Sequence, residues 1–150
     1  DKDGVFPADL KTGDVIRVEI SGGKAVSADK LISLADHPSP QISVRIGGSM
    51  YQAEWANMFG YVYAKSTNAV SLYMGDNPYG KVVSASLNGG GCPVTIYDAK
   101  QKTVSKGSLA DIVSAGTISS DGSFTVNSDT MLFIYRRYEN IREAVVVKYE

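Results

Sequence analysis

Apolar and polar positions alternate over much of the chain, a pattern typical of β-strands that bury one face. The first alternating run, DVIRVEI at 14–20, leads into the turn sequence SGGK at 21–24, and a second run follows at 25–34. A glycine-rich turn between two alternating runs predicts a β-hairpin. The chain therefore opens, after a polar lead-in at 1–12, with an N-terminal hairpin.

Two more hairpins are predicted further along the chain. One combines the alternating runs at 59–65 and 69–74. The other combines the strongly β-prone runs at 131–135 and 144–148 around a turn near 139–140. The two terminal hairpins share an order of aspartate, apolar strand, polar turn and second strand, so the first is either an echo of the last or a coincidence.

Single strands are predicted at 41–46, 81–87 and 93–98, each bounded by turn residues. Three glycines at 89–91 precede the strand at 93–98. Glycine lets the chain turn sharply, and proline is tolerated at the first position of a strand. We interpret 89–91 as a strand-entry connector.

Two segments show helical rather than strand patterns. Helical spacing relates Tyr51, Trp55, Met58 and Phe59, which predicts a short helix or a helical turn at 51–59. The second predicted helix, 108–116, has a serine and an aspartate three residues apart that resemble a capping box, and a glycine at its C-terminal end.

From residue 59 onward the predicted order is three strands, a short helix and two strands, with 81–87 as an added strand. This is the element order of an OB-type barrel, although a meandering sandwich or another small barrel gives the same order. The predicted fold class is therefore all-β with a minor helical part: a small OB-like barrel with an added N-terminal hairpin. We assign residues 1–40 to the lead-in and hairpin, packed on or extending a main domain at 41–150.

Composition and charge exclude some classes of function, but they add little to the prediction of the fold. The chain has 150 residues, with 15 Lys and Arg against 16 Asp and Glu, for a net charge of −1. Such a balance argues against broad non-specific nucleic-acid binding. The longest apolar runs are too short to span a membrane, so no membrane insertion is expected.

Four segments resemble the β-rich modules of large Firmicutes surface proteins that occur beside S-layer homology repeats. They are LKTGDVIRVEI, GYVYAKSTNAVSLYM, VTIYDAKQKTVSKGSLADI and DTMLFIYRRYENIREAVVVKY. The resemblance implies an extracellular or cell-wall-associated, non-catalytic module. Its partners would be other surface-protein domains or cell-wall glycan.

Cys92 is the one candidate nucleophile, and His37 is the one histidine that could activate it. No catalytic-cysteine signature surrounds Cys92, which fits a small, partly buried residue at a strand start. Neither a P-loop nor a calcium-loop pattern is present, and one histidine with one cysteine cannot complete a zinc site. We expect no enzyme activity, cofactor or structural metal.

Tyrosine and arginine side chains offer the best candidate binding surface, because a barrel can hold sugars or single strands by stacking on exposed rings. The alternative is that the tyrosines pack half-buried along strands. The segment YRRYENIR at 135–142 is the densest such cluster. The predicted binding residues are Tyr63, Tyr97, Tyr135, Arg136, Arg137, Tyr138 and Arg142.

Two functions remain open at this point. The first is a non-catalytic structural or interaction module of a bacterial surface or secreted protein. The second is an OB-like domain that binds an oligosaccharide or single-stranded nucleic acid. An enzyme that uses Cys92 or a pair of carboxylates is the weakest of the interpretations.

Overall fold

The protein is all-β in a computed structural model that describes residues 4–45, 54–75, 80–87, 91–138 and 140–150. Helical structure in these residues is limited to 3-10 turns at Leu34–Asp36 and Leu109–Asp111. The strands are β1 (Asp14–Ser21), β2 (Lys24–Ser33), β3 (Gln41–Arg45), β4 (Trp55–Lys65), β5 (Ala69–Tyr73), β6 (Val82–Ser86), β7 (Val94–Asp98), β8 (Thr103–Lys106), β9 (Gly116–Ile118), β10 (Phe124–Val126), β11 (Thr130–Arg137) and β12 (Asn140–Lys148).

The main sheet joins eight strands, of which seven follow the order β11-β4-β5-β6-β12-β7-β8 and β3 pairs with β4. Because β11 also pairs with β12, the strands β11, β4, β5, β6 and β12 form a closed circuit. The contact that completes it is parallel, with Asn140 opposite Ser86. Such a circuit is compatible with a small barrel.

The strands β4, β11 and β12 of the main sheet have buried residues on both faces. Along β11, Leu132 and Ile134 belong to one apolar cluster, whereas Met131 and Phe133 belong to a second. Successive side chains of a strand point to opposite faces, so one strand serves both clusters. The second cluster lies on the face that carries the N-terminal hairpin.

The N-terminal hairpin β1–β2 packs on the main sheet without pairing to it. Val15 and Ile32 contact the second cluster, and Leu34 is fully buried there. At the hairpin base, the Tyr149 hydroxyl donates a hydrogen bond to the Leu34 carbonyl at 2.7 Å. Gly13 has a φ of +98°, and a Cβ at that position would lie 2.7 Å from the Tyr97 hydroxyl, so no larger residue fits.

The all-β class and the hairpins are confirmed. The N-terminal run pairs as β1–β2, the middle run as β4–β5, and the C-terminal run as β11–β12. The three single strands are found as β3, β6 and β7. Position 46, at the end of the predicted first single strand, lies outside the described residues, as do 89 and 90 of the glycine run.

The helix predicted at 51–59 is wrong for the residues that the structure describes, because Trp55–Phe59 belong to β4, while 51–53 lie outside the described residues. Residues 56–60 of β4 are all buried. A strand covered on both faces shows a continuous apolar run instead of alternation, and such a run is easily mistaken for a helix.

The helix predicted at 108–116 is reduced to one 3-10 turn, although its capping box is present. The Ser108 amide donates to Asp111 Oδ2 at 2.8 Å, as a cap should. The chain then leaves the helical conformation, because the Ala115 amide donates to the Val62 carbonyl of β4 at 2.8 Å. Gly116, expected as the C-cap, begins β9.

The strands β8, β9 and β10 were not predicted. β8 is exposed along its whole length, and β9 and β10 contain three residues each, so none carries a clear apolar pattern. The third strand of the closed circuit in chain order is β6, which the sequence predicted only as an extra strand beside the five strands of the barrel. The strand expected third, β7, lies outside the circuit and pairs in parallel with β12.

Candidate functional site

A cleft of about 510 Å³ lies between the N-terminal hairpin and the outer face of β11 and β12. We call it the hairpin cleft. Its volume falls within the range typical of ligand pockets, roughly 300–1,000 Å³. Its lining residues are Asp14, Val15, Ile16, Arg17, Val18, Leu31, Phe133, Tyr135, Glu143 and Val145.

Two cross-strand pairs form the floor of the hairpin cleft. Phe133 on β11 lies opposite Val145 on β12, and Tyr135 lies opposite Glu143. Residues two apart on a strand share a face, so both pairs point toward the hairpin. One half of the floor is therefore apolar, and the other half carries a hydroxyl and a carboxylate.

The wall of the cleft is the strand β1. Five consecutive residues, Asp14 to Val18, line it. Because neighbouring side chains point to opposite faces, a cleft lined by consecutive residues runs along the edge of the strand. β1 pairs with β2 and with no other described strand, so its second edge has no strand partner.

Arg17 places a positive charge in this wall. Its guanidinium lies over the Trp55 ring, with Cζ 5.4 Å from the ring centroid. No carboxylate of the described residues lies within ion-pair distance of Arg17, and Glu143 likewise has no ion-pair partner among them. The cleft thus presents one cation held on an aromatic ring and one separate carboxylate.

Asp14, at the other end of the wall, is already paired. Its Oδ2 lies 3.2 Å from Lys30 Nζ and accepts a hydrogen bond from the Lys11 amide at 3.0 Å. Burial by itself would raise the pKa of Asp14, but the Lys11 amide and Lys30 hold it below its ordinary value. Asp14 therefore serves the hairpin base rather than a ligand.

A small cavity of about 20 Å³ adjoins the hairpin cleft and shares Leu31 and Phe133 with it. Asn57 lines this cavity with only 8% of its surface exposed. Its Oδ1 atom has no hydrogen-bond partner among the described residues. Buried polar groups are usually paired, so this atom is an exception, but it lies in the small cavity and not in the hairpin cleft itself.

The predicted arginine–tyrosine cluster at 135–142 is divided by the structure. Tyr135 lines the hairpin cleft, whereas Arg137 and Tyr138 lie at the exposed end of the β11–β12 hairpin. There the guanidinium of Arg137 lies 3.9 Å from Glu54 and 5.9 Å from the centre of the Tyr138 ring. Arg142 is exposed and is the extra residue of a β-bulge, because Tyr135 pairs with Glu143 and the next residue of β11 pairs with Ile141.

Arg136 and Tyr97 correct the prediction of an exposed stacking surface, since they are only 4% and 2% exposed. Tyr97 packs in the second apolar cluster, where Gly13 adjoins its hydroxyl. Tyr63 is exposed but lies far from Tyr135. Tyr135 pairs with Asn57 of β4, and Tyr63 is six residues further along β4, a distance of about 20 Å. The predicted residues therefore do not form one surface.

Cys92 is buried at the entry to β7. Burial, reinforced by the charge of Glu143, raises the pKa of its thiol to about 11. The thiolate is the reactive form of cysteine, so this environment does not activate Cys92 as a nucleophile.

His37 is engaged at the other end of β12. Its Nε2 lies 2.7 Å from Asp129 Oδ1, and its ring packs 4.0 Å from the Tyr149 ring, centre to centre. Cys92 lies two residues before Val94, which pairs with Ala144 of β12, whereas Tyr149 follows the last residue of β12. The intervening strand spans about 16 Å, so His37 and Cys92 do not form a catalytic pair.

Sequence reasoning missed Arg17, Trp55 and Glu143. The signal for Arg17 was one cation inside the largely apolar run VIRVEI. Trp55 was hidden by its assignment to a helix. Glu143 resembled an ordinary strand-end charge, and its position opposite Tyr135 depends on the register of β11 against β12.

No family model, curated protein or solved structure matches the chain. The described residues contain no helix that is long and apolar enough to cross a membrane. Among the same residues, no group of three histidine, cysteine or acidic side chains could hold a metal ion. The fold and the hairpin cleft thus define an all-β protein with a ligand-sized groove.

Proposed function

We propose that the chain is a non-catalytic interaction module of a bacterial surface or secreted protein, and that it binds its partner in the hairpin cleft. The observation that carries this proposal is Arg17, an arginine without an ion-pair partner among the described residues that lies over Trp55 beside an apolar groove. Arginine held in this way is prepared to bind a carboxylate or another planar anion.

The non-catalytic role and the surface or secreted location are supported by features of the whole chain. Hairpin-rich β-structure, balanced charge and the resemblance to surface-protein modules all favour a spacer or interaction role outside the cell. The high pKa of the Cys92 thiol and its separation from His37 give a cysteine-based reaction no support.

Intrinsic fluorescence tests the binding site, because Trp55 is the one tryptophan of the chain and lies under Arg17. Peptides, cell-wall glycan fragments and oligonucleotides are titrated into the protein. We expect one of these classes to change the emission, and Arg17→Met to weaken its binding about tenfold or more. Arg142→Met, a change of the same kind at an exposed bulge, should leave binding unchanged.

The opposite result, with binding lost in Arg142→Met and kept in Arg17→Met, would place the site at the arginine–tyrosine end of β11–β12. A panel without any ligand would remove the binding role. The location is tested separately by fractionating cells that express the full-length protein. Recovery from the cytosol alone would overturn a surface or secreted location.

A second candidate is an OB-like domain that binds an oligosaccharide or a single-stranded nucleic acid. It is favoured by the closed circuit β11-β4-β5-β6-β12, in which β6 and β12 are parallel. Against it, Tyr73 on β5 stacks on Phe124 of β10, with ring centres 4.4 Å apart, so this ring is covered. A glycan array and a nucleic-acid assay that both stay blank at high protein concentration would remove this candidate.

A further inference from the structure

We propose that the hairpin cleft binds an extended peptide, which adds as a strand along the free edge of β1 and carries an apolar, a basic and an acidic residue at alternate positions. This inference rests on the proposed function, since it names the partner for the same cleft. It commits to a polypeptide over a glycan or a nucleic acid.

The first argument is the backbone edge that the cleft exposes. β1 is paired on one side with β2, from Asp14 opposite Ser33 to Ser21 opposite Lys24. Along an antiparallel strand, alternate residues direct their N–H and C=O groups to the opposite edge. Between Val15 and Val18, no strand or turn of the described residues supplies hydrogen bonds to that second edge. An added strand would satisfy these groups.

The second argument is size. From Phe133 to Arg137, β11 covers about 13 Å at the usual rise per residue. A peptide strand of this length, at the normal spacings between strands and between sheets, occupies on the order of 600 Å³. The cleft volume of about 510 Å³ is comparable, so a segment of four or five residues fits.

The third argument is the order of chemistry along the floor. The pair Phe133 and Val145 is apolar, and two residues further along β11 the pair Tyr135 and Glu143 carries a carboxylate. Two residues beyond this floor, Arg137 lies opposite Trp55, and the Trp55 ring lies beneath Arg17, the basic residue of the cleft wall. Along the direction of β11, the cleft therefore presents first an apolar pair, then an acidic side chain and then a basic one.

A peptide strand repeats its side-chain direction every two residues, at the same interval as this floor. The complementary peptide has an apolar residue, then a basic residue for Glu143, then an acidic residue for Arg17. Apart from Asp14, which is paired with Lys30, the charges of the cleft are Arg17 and Glu143, and neither has an ion-pair partner among the described residues. Opposite charges across an interface fix the register of binding.

The test uses the complete chain and a capped pentapeptide with valine, lysine and glutamate at alternate positions and threonine between them. A peptide of reversed sequence covers the other strand direction. We expect one of the two to change the Trp55 emission and to shift the backbone amide signals of β1. Exchanging its lysine and glutamate should weaken binding about tenfold. The amides that face β1 are those of the threonines in one strand direction and those of lysine and glutamate in the other, so a peptide N-methylated at each set is tested. One of the two should bind at least tenfold more weakly.

A charge-reversed protein, Arg17→Glu with Glu143→Arg, provides the matched control. It should prefer the exchanged peptide by about tenfold, whereas Arg142→Glu should keep the original preference. Circular dichroism and the urea midpoint of each variant show that it is folded. Because the reversed variant gains affinity for one peptide while losing affinity for the other, a folding defect cannot imitate the expected result.

Each other outcome is decisive. If a glycan or oligonucleotide binds in an Arg17-dependent way and neither peptide does, the peptide inference fails and the binding role stands. If nothing in the panel binds, both fail. If neither N-methylated peptide binds more weakly, strand addition is wrong. If the charge-reversed protein keeps the original preference, the assignment of Arg17 and Glu143 is wrong.

Discussion

The N-terminal hairpin β1–β2 and the C-terminal hairpin β11–β12 have similar sequence patterns but different neighbours. β11 pairs with β4 and β12, and β12 pairs with β11, β6 and β7. β1 and β2 pair only with each other among the described strands. One hairpin closes the main circuit of strands, whereas the other is packed against it.

The two hairpins also differ in how far their apolar side chains are buried. Ile134 and Val147 in the C-terminal hairpin are 0% exposed, but Ile20 and Val26 in the N-terminal hairpin are 71% and 55% exposed. The same type of apolar residue therefore contributes to the core in one hairpin and contacts water in the other. The comparison also explains why a cleft lies beside β1, which keeps an unpaired edge.

Val15 and Ile32 pack the N-terminal hairpin on the second apolar cluster, whereas the ion pairs at its base join parts of the N-terminal segment to one another. Lys30 Nζ lies 3.1 Å from Asp9 and 3.2 Å from Asp14, and Lys11 pairs with Asp36 at 3.0 Å. Among the described residues, β1 and β2 pair with no strand of the main sheet, and Ala28 is their one buried residue, so we expect this hairpin to open before the main sheet does.

The largest expected effect comes from truncating the same residue type in each hairpin. Ile134→Ala leaves a cavity in the main core and should reduce the free energy of unfolding by about 2–5 kcal/mol. Ile20→Ala, its matched control at an exposed position, should change it by less than about 0.5 kcal/mol. Urea unfolding measures both, and equal losses would show that the hairpins share one degree of burial.

The contact between the two hairpins comes next. Tyr149, just beyond β12, donates its hydroxyl proton to the buried Leu34 carbonyl, and burial raises the pKa of Tyr149, which keeps this donor protonated. Tyr149→Phe should cost about 1–3 kcal/mol, because the carbonyl loses its partner. Hydrogen exchange should rise mainly in β1–β2. Tyr138→Phe, at an exposed ring, is the control, and a uniform rise in exchange would contradict a local role.

A smaller, pH-dependent effect is expected at Asp14. Its pKa is lower in the folded state than its ordinary value of 3.8, so its contribution is present above pH 3.8 and is lost as the pH falls through the folded pKa. Asp14→Asn should cost about 0.5–1 kcal/mol at pH 7, and nothing once the pH is below the folded value. Urea midpoints at pH 7 and about pH 2 measure this difference.

Asp29→Asn is the control for Asp14, because Asp29 on β2 forms no ion pair with the described residues. It should leave the midpoint unchanged at both pH values. A cost at Asp14 that is the same at low and neutral pH would mean that packing, rather than charge, explains the result.

The reactivity of a cysteine thiol compares exposure in the main sheet and in the N-terminal hairpin, and no change in stability is expected. Cys92 in the main sheet is 7% exposed, and its pKa is raised to about 11, so a disulfide reagent should modify it slowly at pH 8 and faster as the pH approaches 11. A cysteine introduced by Val26→Cys, in a Cys92→Ala background, should react about a hundredfold faster at pH 8. Similar rates would contradict the difference in exposure.

Local sequence patterns predicted much of the fold. Alternation and turn residues located both edges of the β1–β2 turn, and the Ser108 and Asp111 capping contact is present although the helix after it is not. A cap supplies hydrogen bonds only to the first turn, and the following residues pair with β4 instead. The strand nature of Trp55–Phe59 depends on neighbours at both faces, which no local pattern contains.

The candidate site was predicted only at Tyr135, and the remaining cleft residues come from separate parts of the chain. Arg17 reaches Trp55 only because the first hairpin packs across the main sheet. Tyr97 is buried on the face that carries this hairpin, whereas Arg136 is buried on the opposite face of β11, where it pairs with Ala56 and Ile141 of the first cluster. Exposure of an aromatic or basic side chain is a property of the assembled sheet.

The sequence by itself determined the all-β class, the three hairpins and most of their turns, because side-chain period and turn chemistry act over a few neighbouring residues. Only the tertiary structure decided which hairpin closes the circuit, which strand edge stays free, and which charges meet at the hairpin cleft. Those outcomes depend on contacts between distant segments, where register and packing select one arrangement among many that share the same local pattern.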